Sequence, residues 1–176
     1  MSQQRHAMSI DAAVRVSARS KYRRHAVLPT AFLALLVGAA HAHRVDVPGP
    51  DPGSRLFGDS IVVLPNGNYL VTDPEWSAGA GADAAGAVYL YDDAGILLSR
   101  LTGARADDRV GSGGIVLLQG GDFVVRSPDW NASDLVDDAG AVTWGDADTG
   151  FGANASVSAS NSLIGSSSGD RVGASA

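Results

Sequence analysis

The sequence predicts an all-β fold made of tandem four-stranded antiparallel sheets, with two complete units and the start of a third. Three observations predict it. Glycine is frequent, with 22 among 176 residues, and aromatic residues make up only 6%, which is typical of turn-rich β structure. The chain also contains an internal repeat, and each copy has four short apolar runs between turn signals.

The repeat extends over most of the chain. Two pairs of segments are 54 positions apart and a third pair is 62 apart, so copy two carries about eight additional residues, which we place in a loop around DADTGFGANA. Units of this length bury their faces against one another. The pairs are LPNGNYLVTDPEW and LQGGDFVVRSPDW (64–76 and 118–130), AGAV (85–88 and 139–142) and DRVG (108–111 and 170–173).

Turn signals separate the strands of each copy. Asn66-Gly67 and Gly120-Gly121 predict two-residue hairpins of type I′, in which both central residues have positive φ. Asp93-Ala94-Gly95 predicts a further turn by a looser argument. The strands predicted for copy one are 61–64, 69–72, 87–91 and 96–101.

Prolines and tryptophans follow the second strand of each copy. Pro74 and Pro128 are expected to end that strand, because proline has no N–H for a ladder. Trp76 and Trp130 are expected to pack as hydrophobic plugs between units, with sugar stacking as the alternative. The positions expected to define the repeat are Asn66, Gly67, Trp76, Gly86, Gly120, Gly121, Trp130 and Gly140.

The first 42 residues have the pattern of a secretory signal peptide. They hold six of the 13 positive charges, followed by the apolar run AFLALLVGAA and a small-x-small site at 40–42. Ten apolar residues are fewer than the roughly 20 that a membrane span needs, so we expect cleavage after Ala42 and no stable membrane span. Arg23-Arg24 leaves the twin-arginine route open. The mature protein is then secreted, surface-exposed or periplasmic.

The composition excludes several partners and mechanisms. Without residues 1–42 the net charge is near −11, which disfavours binding to nucleic acid. Cysteine is absent, and no histidine or lysine follows His43. Ser-His-Asp and Cys-His arrangements, zinc sites, Schiff-base chemistry and P-loops therefore lack a required residue. We expect no catalytic residues and no enzyme activity.

Part of the chain resembles known repeats. Phe57-Gly58 and Gly86-Ala87-Val88-Tyr89 resemble the FG-GAP repeats of integrin-α-type β-propellers. A tandem repeat of unknown function in large bacterial secreted, filamentous-haemagglutinin-like proteins is more similar still. The resemblance covers Arg55 to the C-terminus and implies propeller-like blades in a secreted protein. The motifs shared with the second group are NSLIGS (161–166), DRVGS (108–112), NGNY (66–69) and GAVTW (140–144).

The number of repeats departs from that resemblance, since propellers usually close with four to eight blades. We expect a truncated gene product, a ring completed by other chains, or a partial array whose exposed strand edges favour self-association. The predicted domains are a signal peptide (1–42), a linker (43–54), blade-like repeat one (55–107), blade-like repeat two (108–169) and the truncated start of repeat three (170–176).

Carboxylates are the reactive groups that remain. Asp73, Glu75, Asp129 and Asp137 are candidates for glycoside hydrolysis, so a secreted carbohydrate-active enzyme fragment is the alternative function. We favour the simpler interpretation that aspartates in turns bind their own backbone and keep the protein soluble.

Calcium is the one cofactor that the sequence suggests. The resemblance to FG-GAP blades implies an Asp-x-Asp-x-Asp-Gly loop, and oxygen atoms at alternate positions suit this cation. Asp146 and Asp148 form half of that pattern and are weak calcium candidates. Asp137-Asp138 and Asp92-Asp93 are less complete.

The predicted function follows from these exclusions. We expect an adhesin-like binding or structural module that presents the loops 73–85 and 127–138 to a protein or glycan ligand at the cell surface, because rigid β scaffolds carry function on such loops.

Overall fold

The computed structural model describes residues 47, 49–50, 54–152 and 154–175. The predicted signal peptide and most of the predicted linker lie outside these residues, and Ala42–Ala176 forms one compact unit. The described residues form β-strands and no helix, so the all-β prediction is confirmed. The described part of the chain accordingly has no helix that could cross a bilayer. The strands are β1 (Ile61–Val63), β2 (Tyr69–Asp73), β3 (Ala87–Tyr91), β4 (Leu97–Thr102), β5 (Gly114–Leu117), β6 (Phe123–Ser127), β7 (Ala141–Gly145), β8 (Ala155–Ser156) and β9 (Ser162–Ile164).

The strands form two sheets with the same register in both repeats. The first sheet has the order β1-β2-β3-β4-β8 and the second has the order β5-β6-β7-β9. Every pair is antiparallel except β4 with β8. Ile61 pairs with Val71 in the first sheet, and the residues 54 positions later, Ile115 and Val125, pair in the second. The repeated sequence therefore folds as a repeated structure.

The hairpins joining the first two strands of each sheet differ from the prediction. Only the second residue of Asn66-Gly67 and of Gly120-Gly121 has positive φ, at 96° and 98°, so the type I′ assignment is wrong. The N–H of Gly67 donates to the carbonyl of Leu64 at 3.0 Å, as in a type I turn followed by a left-handed glycine. Pro65 is compatible with this turn, because it has a fixed negative φ and no N–H for pairing. Copy two forms the same turn with Gln119 in that position, since the Gly121 N–H donates to the Leu118 carbonyl at 3.0 Å.

The additional residues of copy two form more than the predicted loop. They contain β8, whose Ala155 pairs with Leu101 of the first sheet. The hydroxyl of Ser99 accepts from the N–H of Phe151 at 2.9 Å and donates to the carbonyl of Gly152 at 3.1 Å. The Phe151 ring packs edge-on against Phe123 at 5.5 Å. The insertion therefore joins the second repeat to the first sheet.

The two sheets pack face to face around one core. We call the faces that meet the inner faces and the opposite ones the outer faces. The core includes Leu70, Val88, Leu90 and Leu101 from the first inner face, and Phe123, Val125 and Ala141 from the second. A separate cluster covers the first outer face and includes Val71, Trp76, Ala87, Tyr89 and Tyr91.

Both repeat tryptophans are buried, which favours packing over sugar stacking. Trp130 is 4% exposed and belongs to the core between the two sheets, as expected of a plug between units. Trp76 is 9% exposed but packs on the first outer face, away from the second sheet. The guanidinium carbon of Arg100 lies 5.4 Å from the centre of the Trp76 ring. The two indoles hold equivalent places on their own sheets but have different neighbours.

Candidate functional site

The two long loops predicted to carry function, 73–85 and 127–138, begin and end with equivalent backbone hydrogen bonds. The N–H of Trp76 donates to Asp73 at 3.2 Å, and the N–H of Trp130 donates to Ser127 at 3.2 Å. The Gly86 N–H then closes the first loop on the carbonyl of Trp76, with an equivalent bond from Gly140 to Trp130, both at 2.9 Å. We call the end of the sheets that contains these loops the loop end (73–86, 103–112, 127–140 and 165–173), and the opposite end the hairpin end (64–68, 92–96, 118–122 and 146–150).

Glycine is required where each DRVG segment runs beside an AGAV segment. Gly86 and Gly140 have φ of 77° and 75°, and a Cβ added to either would lie 2.2 Å from the nitrogen of Val110 or Val172. The Val110 N–H donates to the Ala85 carbonyl at 3.1 Å. This close backbone contact explains why AGAV and DRVG recur together.

Asp108 joins the segment 104–108 to the loop 127–138 from a fully buried position. Its Oδ2 accepts the N–H groups of Ala104 and Arg105 at 2.8 Å each, within the first repeat. Its Oδ1 accepts the N–H of Asn131, in the loop of the second repeat, at 3.1 Å. In the sequence, Asp108 is recognisable only as part of the repeated DRVG segment. The recurrence of the aspartate at Asp170, behind another short turn, was the signal for its role.

Each DRVG arginine forms an ion pair with the acid that precedes the repeat tryptophan. Arg109 lies 3.0 Å from Glu75, and Arg171 lies 2.6 Å from Asp129. Ser112 donates to Asp129 at 2.8 Å. Such exposed pairs are worth at most about 1 kcal/mol each, so their main effect is to hold the loops in place.

The four candidate catalytic carboxylates are not brought together in one site. Glu75 and Asp129 are held by arginines on different repeats. Asp73 is buried and accepts from the N–H of Leu56 at 3.0 Å and from the Ser54 hydroxyl. Asp137 lies elsewhere, in a groove between the loops.

This groove has a volume of about 270 Å³. One wall is fixed by Asn131, whose side-chain amide donates to Ala106 at 3.1 Å and accepts from the N–H of Asp138 at 3.0 Å. Across the groove, Arg105 Nε lies 3.2 Å from Asp134 Oδ1. The lining therefore combines a cation, carboxylates and neutral polar groups. The lining residues are Gly81, Ala104, Arg105, Ala106, Asn131, Ser133, Asp134 and Asp137.

The calcium candidates Asp146 and Asp148 lie at the hairpin end, and their carboxylates accept hydrogen bonds from the protein itself. Asp146 Oδ1 accepts the N–H and hydroxyl of Thr149 at 2.8 and 2.9 Å and the N–H of Asp148 at 3.0 Å. These hydrogen bonds hold the pKa of Asp146 below its ordinary value, and the bond from the Thr149 N–H has the largest effect. Asp148 accepts from the Asn66 amide at 2.8 Å. Asp92 likewise accepts two N–H groups of its own turn. Within the described ranges, no three acidic or histidine side chains are grouped as metal ligands.

The family described as "Repeat of unknown function (DUF5650)" matches residues 63–97 and 117–174. The first segment lies in copy one, and the second covers most of copy two and extends into the start of the third. Together they cover more than half of the 176 residues. No curated protein matches the chain.

Proposed function

Because the chain belongs to the DUF5650 family of repeats of unknown function, we propose that it is an exported, non-catalytic β-repeat scaffold. In this proposal it acts as an adhesin-like module at the cell surface and presents the loops 73–85 and 127–138 to a glycan or protein. The proposed export depends on the signal-peptide pattern of residues 1–42, and the proposed ligand site depends on the loop end.

The observation that carries the proposal is the link between the loop 127–138 and the neighbouring segment 104–108. Asp108 is fully buried and binds backbone N–H groups of both repeats. Hydrogen bonds to a charged acceptor are worth about 1.5–3 kcal/mol each, more than a surface ion pair. Loops held in this way form a pre-organised surface, which lowers the entropy lost when a ligand binds.

The chemistry of the groove favours a polar ligand. Arg105, Ser133, Asp134 and Asp137 offer donors and acceptors in a groove of about 270 Å³, and none of the described residues that line it has a large apolar side chain. Asp134 is exposed, and its side chain is 92% accessible. Hydroxyl groups of a short oligosaccharide, or the backbone of a polar peptide, can bind such a mixture of groups.

We do not extend the proposal to carboxylate catalysis. Glu75 and Asp129 are each engaged by an arginine, and Asp73 is buried. Asp137 lines the groove together with Asp134. Glycosidases use a pair of carboxylates, and Asp134 is engaged by Arg105 at 3.2 Å.

We further propose that the two sheets are propeller-like blades of the FG-GAP type. Consecutive sheets pack face to face in the same orientation, with equivalent residues 54 positions apart in equivalent registers. Phe57 packs edge-on against Tyr89 at 5.6 Å, which gives the Phe-Gly motif a packing role at the start of the first repeat.

The test uses an array of defined oligosaccharides and, in parallel, immobilised collagen and fibronectin. We expect Asp134→Ala and Arg105→Ala to weaken binding by roughly 10-fold or more, since each removes a charged group from the groove. Gln119→Ala, at the exposed tip of the hairpin end, is the matched control and keeps wild-type binding. Binding that is equal in all four proteins, or absent from every probe, would contradict the proposal. Release of reducing sugar that is lost in Asp137→Asn would instead support the enzyme alternative.

A further inference from the structure

The outer face of the first sheet contains an open cavity of about 500 Å³. This volume lies within the range of roughly 300–1,000 Å³ that is typical of small-molecule sites. The cavity is distinct from the groove between the loops, since no described residue lines both. Its lining is mostly apolar but includes a phenol and a carboxylate. The residues that matter here are Val47, Phe57, Ile61, Tyr69, Val71 and Asp93.

Aromatic rings form one wall of the cavity. Phe57 and Tyr69 line it directly. Phe57 packs edge-on against Tyr89 at 5.6 Å, and Tyr69 stacks on Tyr91 with ring centres 5.4 Å apart. Three of the four tyrosines in the chain therefore lie on this face. This group of tyrosines belongs to the first repeat alone. The equivalent positions in the second sheet hold Phe123, Thr143 and Gly145.

Negative charge lies beside these rings. Asp93 lines the cavity and is exposed, and no cation of the described part of the chain pairs with it. Burial raises the pKa of Tyr69, and the neighbouring Asp92 carboxylate raises it further, which requires that charge to lie close to the ring. The Tyr69 hydroxyl is buried without a hydrogen-bond partner among the described residues. The cavity therefore combines aromatic rings with negative charge that the described residues do not neutralise.

This combination selects cations that have an apolar surface. The negative face of an aromatic ring attracts a cation within about 6 Å of its centre. A metal ion or a primary ammonium group would lose strong hydration in a largely apolar cavity, whereas methyl groups shield a quaternary ammonium from that cost. The same outer face already holds one cation against a ring, since the guanidinium carbon of Arg100 lies 5.4 Å from the centre of Trp76.

We propose that this cavity binds a quaternary ammonium group, with Phe57 and Tyr69 against its methyl groups and Asp93 near its charge. The inference goes beyond the proposed function and uses no residue of the groove between the loops. A free small molecule and a lipid headgroup can both carry this group, and the same residues would recognise either.

The first test titrates the full chain with choline at constant ionic strength and follows binding by calorimetry. The matched control ligand is the neutral analogue of choline in which a tert-butyl group replaces the trimethylammonium group. We expect saturable choline binding in the millimolar range and binding of the neutral analogue that is weaker by roughly 10-fold. Equal binding of the two ligands would show a merely apolar pocket and overturn the proposal, and so would the absence of choline binding.

Two variants identify the site. Asp93→Asn removes the charge, and Phe57→Leu removes a ring but keeps an apolar side chain, so each is expected to weaken choline binding by roughly 10-fold. Asp107→Asn removes the same charge from a side chain that is 73% accessible at the loop end, and binding is expected to be unchanged. Asp93 is exposed, so near-ultraviolet circular dichroism of Asp93→Asn is expected to match the wild type. Full choline binding in both site variants would overturn the proposal.

Vesicles of phosphatidylcholine separate the two sources of the group. Vesicle binding that choline displaces and that Asp93→Asn weakens would assign a lipid headgroup as the ligand. Choline binding without vesicle binding would assign a free small molecule. Vesicle binding that choline does not displace, in a protein that does not bind choline, would show a different membrane contact and overturn the proposal.

Discussion

All five residues of β3 are buried in the first sheet, whereas β7 of the second sheet has its exposed and half-buried residues at alternate positions. The two strands occupy the same place in their repeats. Leu90 of β3 is fully buried, and its counterpart Trp144 is half exposed. The difference lies in the neighbours, because β3 is covered on both faces and β7 on one. A strand of this family therefore gains a two-sided core only when a neighbour covers its second face.

One cross-strand pair shows how the repeats adapt to their neighbours. In the first sheet Tyr69 pairs with Tyr91, and the rings stack with centres 5.4 Å apart. In the second sheet the equivalent pair is Phe123 and Gly145. A Cβ on Gly145 would lie 2.4 Å from the Phe123 ring. The glycine leaves room for Phe123 to turn across the sheet toward Phe151, within the shared core.

The largest expected difference in stability between the repeats comes from substituting the glycines with positive φ, Gly86 and Gly140. Gly86→Ala puts a Cβ against the backbone of Val110, which lies between the two sheets. We expect it to lower the free energy of unfolding by more than about 4 kcal/mol. Gly140→Ala meets Val172, which is not part of the core between the sheets, and is expected to cost about 1–3 kcal/mol. Urea denaturation measures both, and equal costs would contradict the comparison.

The tryptophans give the next largest contrast. Trp130→Ala opens a cavity between the two sheets and is expected to cost about 3–4 kcal/mol. Trp76→Ala removes a ring from the first outer face and is expected to cost about 2 kcal/mol, because one side of that site can relax. Thermal unfolding followed by circular dichroism compares them. A larger loss in Trp76→Ala would show that the first outer face contributes more stability than the contact between sheets.

The two DRVG aspartates sharpen the comparison further. Asp108→Ala removes three hydrogen bonds from a buried carboxylate, one of them to the loop 127–138. The expected net cost is about 2–3 kcal/mol, less than the sum of the three bonds, because the cost of burying the charge is removed with them. Asp170→Ala removes two hydrogen bonds at an exposed turn, with an expected cost of about 1 kcal/mol. Amide hydrogen exchange gives a local measurement, since Asn131 loses protection in the first variant alone. Unchanged protection of that amide would refute the role given to Asp108.

The smallest expected effect concerns alkaline pH. Burial, together with the nearby Asp92 carboxylate, raises the pKa of Tyr69 above its ordinary value of 10.0. The folded state therefore favours the neutral phenol, and this stabilisation is present below pH 10 and lost as the pH rises through the raised pKa. The counterpart in the second sheet, Phe123, does not ionise. Between pH 8 and pH 11 we expect the melting temperature of Tyr69→Phe to fall less than that of the wild type. An equal fall in both proteins would contradict this prediction.

The strands were predictable because local signals determine them. Apolar runs bounded by Pro74 and the glycine turns place the four strands predicted for copy one within about one residue of β1 to β4, which is less than the usual error in strand ends. The repeat spacing predicted that the registers would be equivalent. The sign of φ at Asn66 was not predictable from the Asn-Gly pair alone, because the same pair also suits a three-residue loop with the glycine in the left-handed conformation.

The remaining features depend on contacts between distant segments. β8 consists of Ala155 and Ser156, which have no apolar alternation, and it exists because the edge of β4 is adjacent. The loop end was predicted as a region, but its organisation around Asp108 was not. A buried aspartate and one in a solvent-exposed turn look alike in sequence, and the difference comes from the packing of the second repeat.

The strand β8 also constrains how this gene can rearrange. Recombination between tandem repeats normally exchanges, deletes or adds whole units without loss, since each unit carries its own four strands. Here a part of copy two completes the sheet of the copy before it. A crossover that separated the two copies would leave β4 with an unpaired edge. The Phe151 N–H would also lose the Ser99 hydroxyl, which accepts its hydrogen bond. The pair is therefore expected to be inherited and transferred as a single genetic block.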